Sequence, residues 1–266
     1  MLKKTFFPKH SDNRMEDEGN LEKARYIFYK TKPTNLFFLL EKRFSWMNKF
    51  LDKKEIIYEI GCGAGFSRDF IKNKNLVLTD FEEYEWVDKT IDAMHLPFEK
   101  NSIDALICSH MIHHLYNPYK FFKSAIDCLK PGGIIIVSDI NTSFMTRLML
   151  RIMKHEGWSY DVDVFSPDSI CNNPLDLWSA NCAIPEMLFS NNKRFENKFK
   201  NVKIIHSKLR EFLLLPISGG VISKIKTINL PFWILRIINQ IDNFLVKISP
   251  STFASQREVV IQKKLE

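Results

Sequence analysis

The rhythm of apolar positions changes along the chain. In "NLFFLLEKRFSWMNKFL" (35–51) apolar residues fall at 36, 39, 40, 44, 47 and 51, the spacing of a helix with one buried face. Pro33 and Thr34 stand where such a helix starts, and residues 14–50 read as helical throughout. From residue 55 short apolar runs take over: "EIIYEI" (55–60), "NLVLTD" (75–80), a weak "WVDKTID" (86–92), "SIDALICSH" (102–110) and "GIIIVSDI" (133–140). Each has strand length. Between them the pattern predicts a helix over about 65–73 and another over "PYKFFKSAIDCLK" (118–130), stopped by "PGG". Strands alternating with helices predict an α/β fold, a parallel sheet covered on both faces.

Beyond Ile140 the pattern loosens. Residues 143–154 read as a helix, and 158–186, rich in Pro, Asn and Asp, as an ordered but irregular excursion. "NVKIIHS" (201–207) and "REVVIQKK" (257–264) are two late strands. Between them lies an apolar insertion, 212–249, interrupted by Gly219–Gly220 and Pro231. After Pro231, polar residues at 236, 239, 240, 243 and 247 share one helical face. Ile234, Ile237, Ile238, Ile241, Phe244, Leu245 and Ile248 cover the other. That face predicts a cover for the core ahead of a homodimer contact or a membrane-interface helix.

A chain of 266 residues that is 45% hydrophobic suits one large domain. We divide residues 1–266 into an N-terminal helical cap (1–54), a core (55–140), a lid (141–200) and the late strands with their insertion (201–266). The start has no apolar stretch of signal-peptide length, and no run reaches the ~18 apolar residues of a membrane span, so the expected location is cytoplasmic. Five cysteines without a CxxC pair read as reduced thiols, with no metal site expected. The net charge of +7 is uneven: residues 193–266 hold 14 Lys+Arg against 5 Asp+Glu, or +9. A basic end fits an anionic partner, including the inner face of a membrane, or a solvated lysine-rich surface.

"YEIGCGAGF" (58–66) carries the chemistry. Gly61, Gly63 and Gly65 between a strand and a predicted helix let the backbone approach a ligand. A dinucleotide fingerprint would need its third glycine at position 66, which is Phe66. Glu59 would repel a pyrophosphate and suits a ligand with ammonium and sulfonium groups, pointing to S-adenosyl-L-methionine. Asp80 ends the second strand, where an acid accepts from ribose hydroxyls. Phe81 follows as an adenine-packing candidate, and Asp92 in "DAMHLPF" is placed to address the adenine amino group beside Ala93 and Met94.

Taken together, "YEIGCGAGF", "LTDF", "DAMHLPF", "SIDALICSHMIHHL" and "LKPGG" resemble the class I S-adenosylmethionine-dependent methyltransferases, closest to their small-molecule subgroup. The resemblance covers roughly 55–140. It implies a Rossmann-like, seven-stranded, mostly parallel sheet in the order 3-2-1-4-5-7-6 with the last strand antiparallel, and here a helical insertion before that strand. It also implies that Glu59, Gly61, Gly63 and Gly65, with Cys62 in the same turn, meet the methionine part. Asp80 would hold the ribose, Asp92 and Ala93 would bracket the adenine, and His110 would face the cofactor. The flanks "NLFFLLEKRFSWMN", "MKHEGWSYD", "NPLDLWSANCAIP" and "SGGV" are similar to methyltransferases of bacterial surface-polysaccharide clusters, which implies a sugar or lipid-linked glycan acceptor.

A neutral hydroxyl acceptor gains from a general base, and histidine is the commonest choice. His110, His113, His114 and His155 are available. His155 with Glu156 is the leading catalytic candidate, with His114 behind it, more readily a packing residue. Asn181 reads as a sugar-oxygen donor or a turn cap, and Trp158 and Trp178 as stacking platforms or lid core. Two other functions compete: an RNA methyltransferase and a non-catalytic cofactor-binding scaffold. "SHMI" after the fourth strand is unlike the Asn-Pro-Pro-Tyr tetrad of base-flipping enzymes, so nucleic acid is not favoured as a partner.

Overall fold

The computed structural model describes residues 4–9, 19–176, 178–222 and 225–265. Its strands are β1 (Thr5–Phe6), β2 (Ile57–Ile60), β3 (Leu76–Asp80), β4 (Lys89–Thr90), β5 (Ile103–Ser109), β6 (Leu129–Ile140), β7 (Trp158–Ser159), β8 (Val202–Arg210) and β9 (Gln256–Lys263). The helices are α1 (Leu21–Thr31), α2 (Thr34–Phe44), α3 (Asn48–Leu51), α4 (Pro118–Cys128), α5 (Phe144–Met153), α6 (Ile184–Phe189), α7 (Asn192–Lys198), α8 (Leu214–Ser218), α9 (Phe232–Ile248) and α10 (Pro250–Phe253).

Seven strands form one sheet in the order β4-β3-β2-β5-β6-β9-β8, the order expected from the resemblance. β9 runs antiparallel to both neighbours, while β2, β3, β4, β5 and β6 are parallel. The two-residue period of β5 feeds both faces. Leu106 and Cys108 join Phe121, Phe122, Phe189 and Phe195 on one side. Ala105 and Ile107 join Leu36, Leu39, Met47 and Leu235 on the other. β1 and β7 make a separate antiparallel pair. No helix among the described residues is long and apolar enough to cross a membrane.

Three elements depart from the pattern. The helix expected over 65–73 is only a 3-10 turn, Phe66–Asp69. Asn48, at the start of α3, takes over backbone groups a helix would pair: its Nδ2 donates to Phe70 O at 3.0 Å and its Oδ1 accepts from Lys72 N at 2.8 Å. Asn73 Nδ2 likewise donates to Leu51 O and Lys54 O. The third strand shrinks to Lys89–Thr90. Conversely, β6 begins at Leu129, ahead of the "PGG", and absorbs it at a register shift opposite Ile103–Ala105.

The insertion packs on the core, through a narrower face than the sequence pattern predicts. α9 turns Leu235, Asp242 and Val246 inward. Asp242 is buried because its carboxylate accepts from the N–H groups of Phe212, Leu213 and Leu214, ahead of and at the start of α8. Trp233, Ile237, Ile241, Phe244 and Ile248 consequently face outward, 42–63% exposed. They lie on one stripe at helical spacing. Phe144, Leu148 and Ile152 form a similar exposed stripe on α5, and α10 packs against both helices.

Candidate functional site

The carboxyl ends of β2, β3, β5 and β6 open into a cavity of about 790 Å³. Ligands of open α/β sheets bind at this edge, and the volume lies within the range of about 300–1,000 Å³ common for ligand pockets. One end is the glycine turn. Gly61, Gly63 and Gly65 all adopt positive φ, between +53° and +69°. A Cβ at Gly61 would meet Met111 Cγ at 2.6 Å, whereas one at Gly63 would find its nearest neighbour, Leu21 Cδ2, at 3.8 Å. The backbone at Gly63 is therefore far less crowded, with only an ordinary van der Waals contact in that direction. Gly65 does not line the cavity, contrary to the cofactor contact the resemblance implies for it: it is set back, and a Cβ there would strike Trp86 Cδ1 at 2.7 Å.

Glu59 and Asp80 brace this turn. Asp80 Oδ2 accepts from Gly63 N at 2.7 Å and Oδ1 from Phe81 N at 2.8 Å, leaving lone pairs for a ligand hydroxyl. Glu59 is buried and accepts from Ser67 Oγ; burial pushes its carboxyl up to about 8. Cys62 and half-exposed Phe81 line the same end. Asp92 and Ala93 do too, with Asp92 accepting from Met94 N and paired with His95. His110 holds φ +51° at the end of β5. It is half-buried, its shielded Nε2 has no hydrogen-bond partner among the described residues, and desolvation lowers its pKa to about 3. A neutral, unpartnered imidazole nitrogen at the cavity wall is a polar group waiting for a ligand.

The N-terminal helices reach the glycine turn through contacts that the sequence did not reveal. Arg25 of α1 donates to Ala64 O at 2.7 Å and stacks on Trp86 and Tyr29, with 4.8 and 4.7 Å to the ring centres. Trp86 Nε1 donates to Gly63 O at 2.8 Å. Only the Arg25–Tyr29 pair is local; the contacts among Arg25, Ala64, Trp86 and Gly63 join residues 23–61 positions apart in sequence.

At the far end stands a polar cluster. Asp139, at the end of β6, accepts from His113 Nδ1 at 2.5 Å and from Ile112 N at 2.8 Å. His113 Nε2 faces Glu156 Oε1 at 3.8 Å, and His155 Nε2 lies 3.6 Å from the same oxygen. Glu156 Oε2 accepts from Cys182 Sγ at 3.2 Å. Burial would raise Glu156, but His113 and its neighbours hold it well below the usual carboxylate range. Burial lowers His114 to about 4. His155, Glu156 and His114 thus lie together on the cavity wall with His113, which Asp139 holds from behind.

Asn181 does not line the cavity. It is fully buried, accepting from Ser159 N and Ala183 N and donating to Ser159 O, so it holds β7 rather than an acceptor. Trp158 is core, packed on Phe6. Trp178 is half-exposed at the rim, edge-on to His114. Between the two poles the wall is mostly apolar: Leu40 and Phe44 of α2, Met149 and Met153 of α5, and Leu215, Val221 and Ile225. Arg43 lines it as well, neutralised by a buried bidentate pair with Glu211 at 2.6 and 2.9 Å.

Residues 58–137 match a family model described as a methyltransferase domain. The chain is 23% identical over 153 residues to a ubiquinone biosynthesis O-methyltransferase of Rickettsia akari, covering 51% of this chain and 58% of that protein. It is 28% identical over 97 residues to a probable S-adenosylmethionine-dependent methyltransferase of Mycolicibacterium smegmatis, covering 32% and 38%. It thus spans about 58% of the Rickettsia relative's length. A solved structure of a SAM-dependent methyltransferase from Archaeoglobus fulgidus aligns with 92% of this chain and 95% of its own at 18% identity and a TM-score of 0.46.

Proposed function

We propose that this chain, whose residues 58–137 carry a methyltransferase domain, transfers a methyl group from S-adenosylmethionine to a hydroxyl on the head of a lipid-borne acceptor, a lipid-linked glycan in particular. The observation that carries this reading is one cavity with two unlike poles. A bare glycine turn with Glu59, Asp80 and His110 lies at one end, and a His/Glu cluster behind an apolar wall at the other. The first pole suits an ammonium, a ribose and an uncharged hydrogen-bonding atom. The apolar wall suits an acceptor with a hydrocarbon body better than a free sugar. The Rickettsia relative named as an O-methyltransferase favours an oxygen acceptor.

Bound S-adenosylmethionine supplies an electrophilic methyl group on an already activated leaving group. The chain's own task is therefore mostly positioning and one proton. Gly61 and Gly63 admit the ligand backbone-close, Asp80 orients its hydroxyls, and the apolar wall keeps water from the methyl. His155 takes the proton of the acceptor hydroxyl, and the ionised Glu156 beside it stabilises the imidazolium that results.

The exposed stripe on α9 supports a lipid-borne acceptor. Arg236 and Lys247 flank it, both exposed, and the helix's one acid, Asp242, is buried. An apolar stripe edged by cations suits the interface of an anionic membrane. The test uses the purified chain with methyl-labelled cofactor and separated lipid and soluble-glycan fractions of a bacterial lysate. Label is expected in the lipid fraction, and His155→Ala is expected to cut transfer by about 10²–10⁴-fold with cofactor affinity unchanged. Label confined to the soluble fraction refutes the lipid-borne acceptor. Transfer by His155→Ala within about threefold of wild type removes the base role.

A further inference from the structure

One ligand-type atom from each of His113, His114 and Glu156 lies within 4.8 Å of the others. What distinguishes this trio from a chance gathering is how the rings are held. The Asp139 carboxylate already accepts from Ile112 N and Ile140 N and accepts again from His113 Nδ1, so Nδ1 carries the hydrogen. His114 Nδ1 meets the carbonyl of Ser179 at 3.2 Å, an atom that can only accept, so Nδ1 carries the hydrogen there too. When neutral, both histidines are thereby fixed in the tautomer that offers a lone pair on Nε2. A carboxylate or carbonyl bound to the far nitrogen of an imidazole is the outer support that metal-ligating histidines use.

His113 Nε2 faces the Glu156 carboxylate at 3.8 Å, with His113 buried and Glu156 partly so. Such an approach needs a positive charge between the two atoms: a proton on Nε2 supplies it in the metal-free protein, and a metal ion can take that proton's place. Ligand atoms around a tetrahedral ion with bonds of about 2.1 Å sit about 3.4 Å apart, close to this gap. We propose that His113 Nε2, His114 Nε2 and Glu156 bind one divalent transition-metal ion, zinc or another imidazole-preferring ion of the first row. Two imidazoles and one carboxylate select such ions over magnesium and calcium. Three protein ligands leave a coordination position open toward the cavity, where an acceptor oxygen can be held and made more acidic. Asp139 is a positioning residue for His113. The binding itself does not depend on methyl transfer, so it is tested without turnover.

The test is calorimetric titration of chelator-treated, full-length protein with zinc chloride, alongside metal analysis of protein purified without chelator. Wild type is expected to bind one equivalent, with magnesium giving no competition. His114→Asn and Glu156→Gln are each expected to weaken binding at least tenfold, and Asp139→Asn about 10–100-fold. His95→Asn, an exposed histidine outside the trio, is expected to leave it unchanged. Circular dichroism checks that each variant is folded; if one is not, the other ligand variant decides. The proposal is overturned if wild type binds no equivalent of zinc at micromolar concentration. It is also overturned if folded His114→Asn and Glu156→Gln both bind as wild type does, or if His95→Asn abolishes binding.

Discussion

Asp139 holds His113 by a 2.5 Å hydrogen bond across two elements, the end of β6 and the turn after β5, with both side chains buried. Burial alone would lower the histidine, but the charges of Asp139 and Glu156 overcome it and raise its pKa to about 10 in the metal-free protein. A raised histidine contributes stability that is complete below its unfolded pKa of about 6.5 and is lost as pH rises through about 10. Asp139→Ala strands that buried cation and is expected to cost about 3–5 kcal/mol in urea denaturation at pH 7. A loss below about 1 kcal/mol would show that the pair does not bear on stability.

Much of the frame was readable because it rests on local rhythm. "SIDALICSH" alternates between two faces that both become core, so its strand is evident from residue types alone. The glycine turn was equally plain. What stayed hidden depends on distant partners. His113 and His114 are neighbours in sequence, and only the 3-10 turn Ile112–His114 decides that His113 reaches Asp139, 26 residues on. Which face of α9 turns inward stayed hidden because it is set in part by Asp242, which looks like a surface residue until Phe212, Leu213 and Leu214 present their N–H groups to it. The expected helix after the glycine turn failed for the same kind of reason, through Asn48.

Among the residues proposed to meet the cofactor, Asp80 is the one whose removal reads most directly. Asp80→Ala is expected to weaken S-adenosylhomocysteine binding by about 1.5–3 kcal/mol, the scale of hydrogen bonds to a charged group. Because Asp80 also accepts from Gly63 N, Asp80→Asn separates the two roles: it keeps an acceptor for Gly63 but loses the charge. Calorimetry that finds both variants within a few tenths of a kcal/mol of wild type removes Asp80 from the ribose site.

If Glu59 meets the ligand's ammonium as proposed, ligand binding is expected to depend on pH. Burial raises its carboxyl to about 8, so the free protein carries it protonated at pH 7. An ammonium bound beside it favours the carboxylate and lowers that pKa. Binding at pH 7 therefore releases close to one proton, and affinity rises with pH until about 8 and is flat above it. Calorimetry of S-adenosylhomocysteine in buffers of different ionisation enthalpy measures the release, which Glu59→Gln is expected to abolish. Proton uptake on binding, or a release that survives Glu59→Gln, places the ammonium elsewhere.

The α9 stripe carries the last prediction. Trp233, Ile237, Ile241, Phe244 and Ile248 project away from the seam made by Leu235, Asp242 and Val246, so they gain nothing from the protein's own core. Arg236 and Lys247 beside them each add about 1 kcal/mol of attraction at an anionic surface, a contribution that salt screens within about 10 Å at 0.1 M. Sedimentation with vesicles of anionic phospholipid is therefore expected at low salt and to weaken as salt rises. Neutral phosphatidylcholine vesicles should retain little protein. Trp233→Glu combined with Phe244→Glu is expected to abolish pelleting without changing the melting temperature, because neither side chain packs inward. A competing outcome is specific: light scattering that finds a lipid-free dimer, dissociated by the same double substitution, makes the stripe a seam between two copies. That result, or no pelleting at low salt, ends the membrane reading.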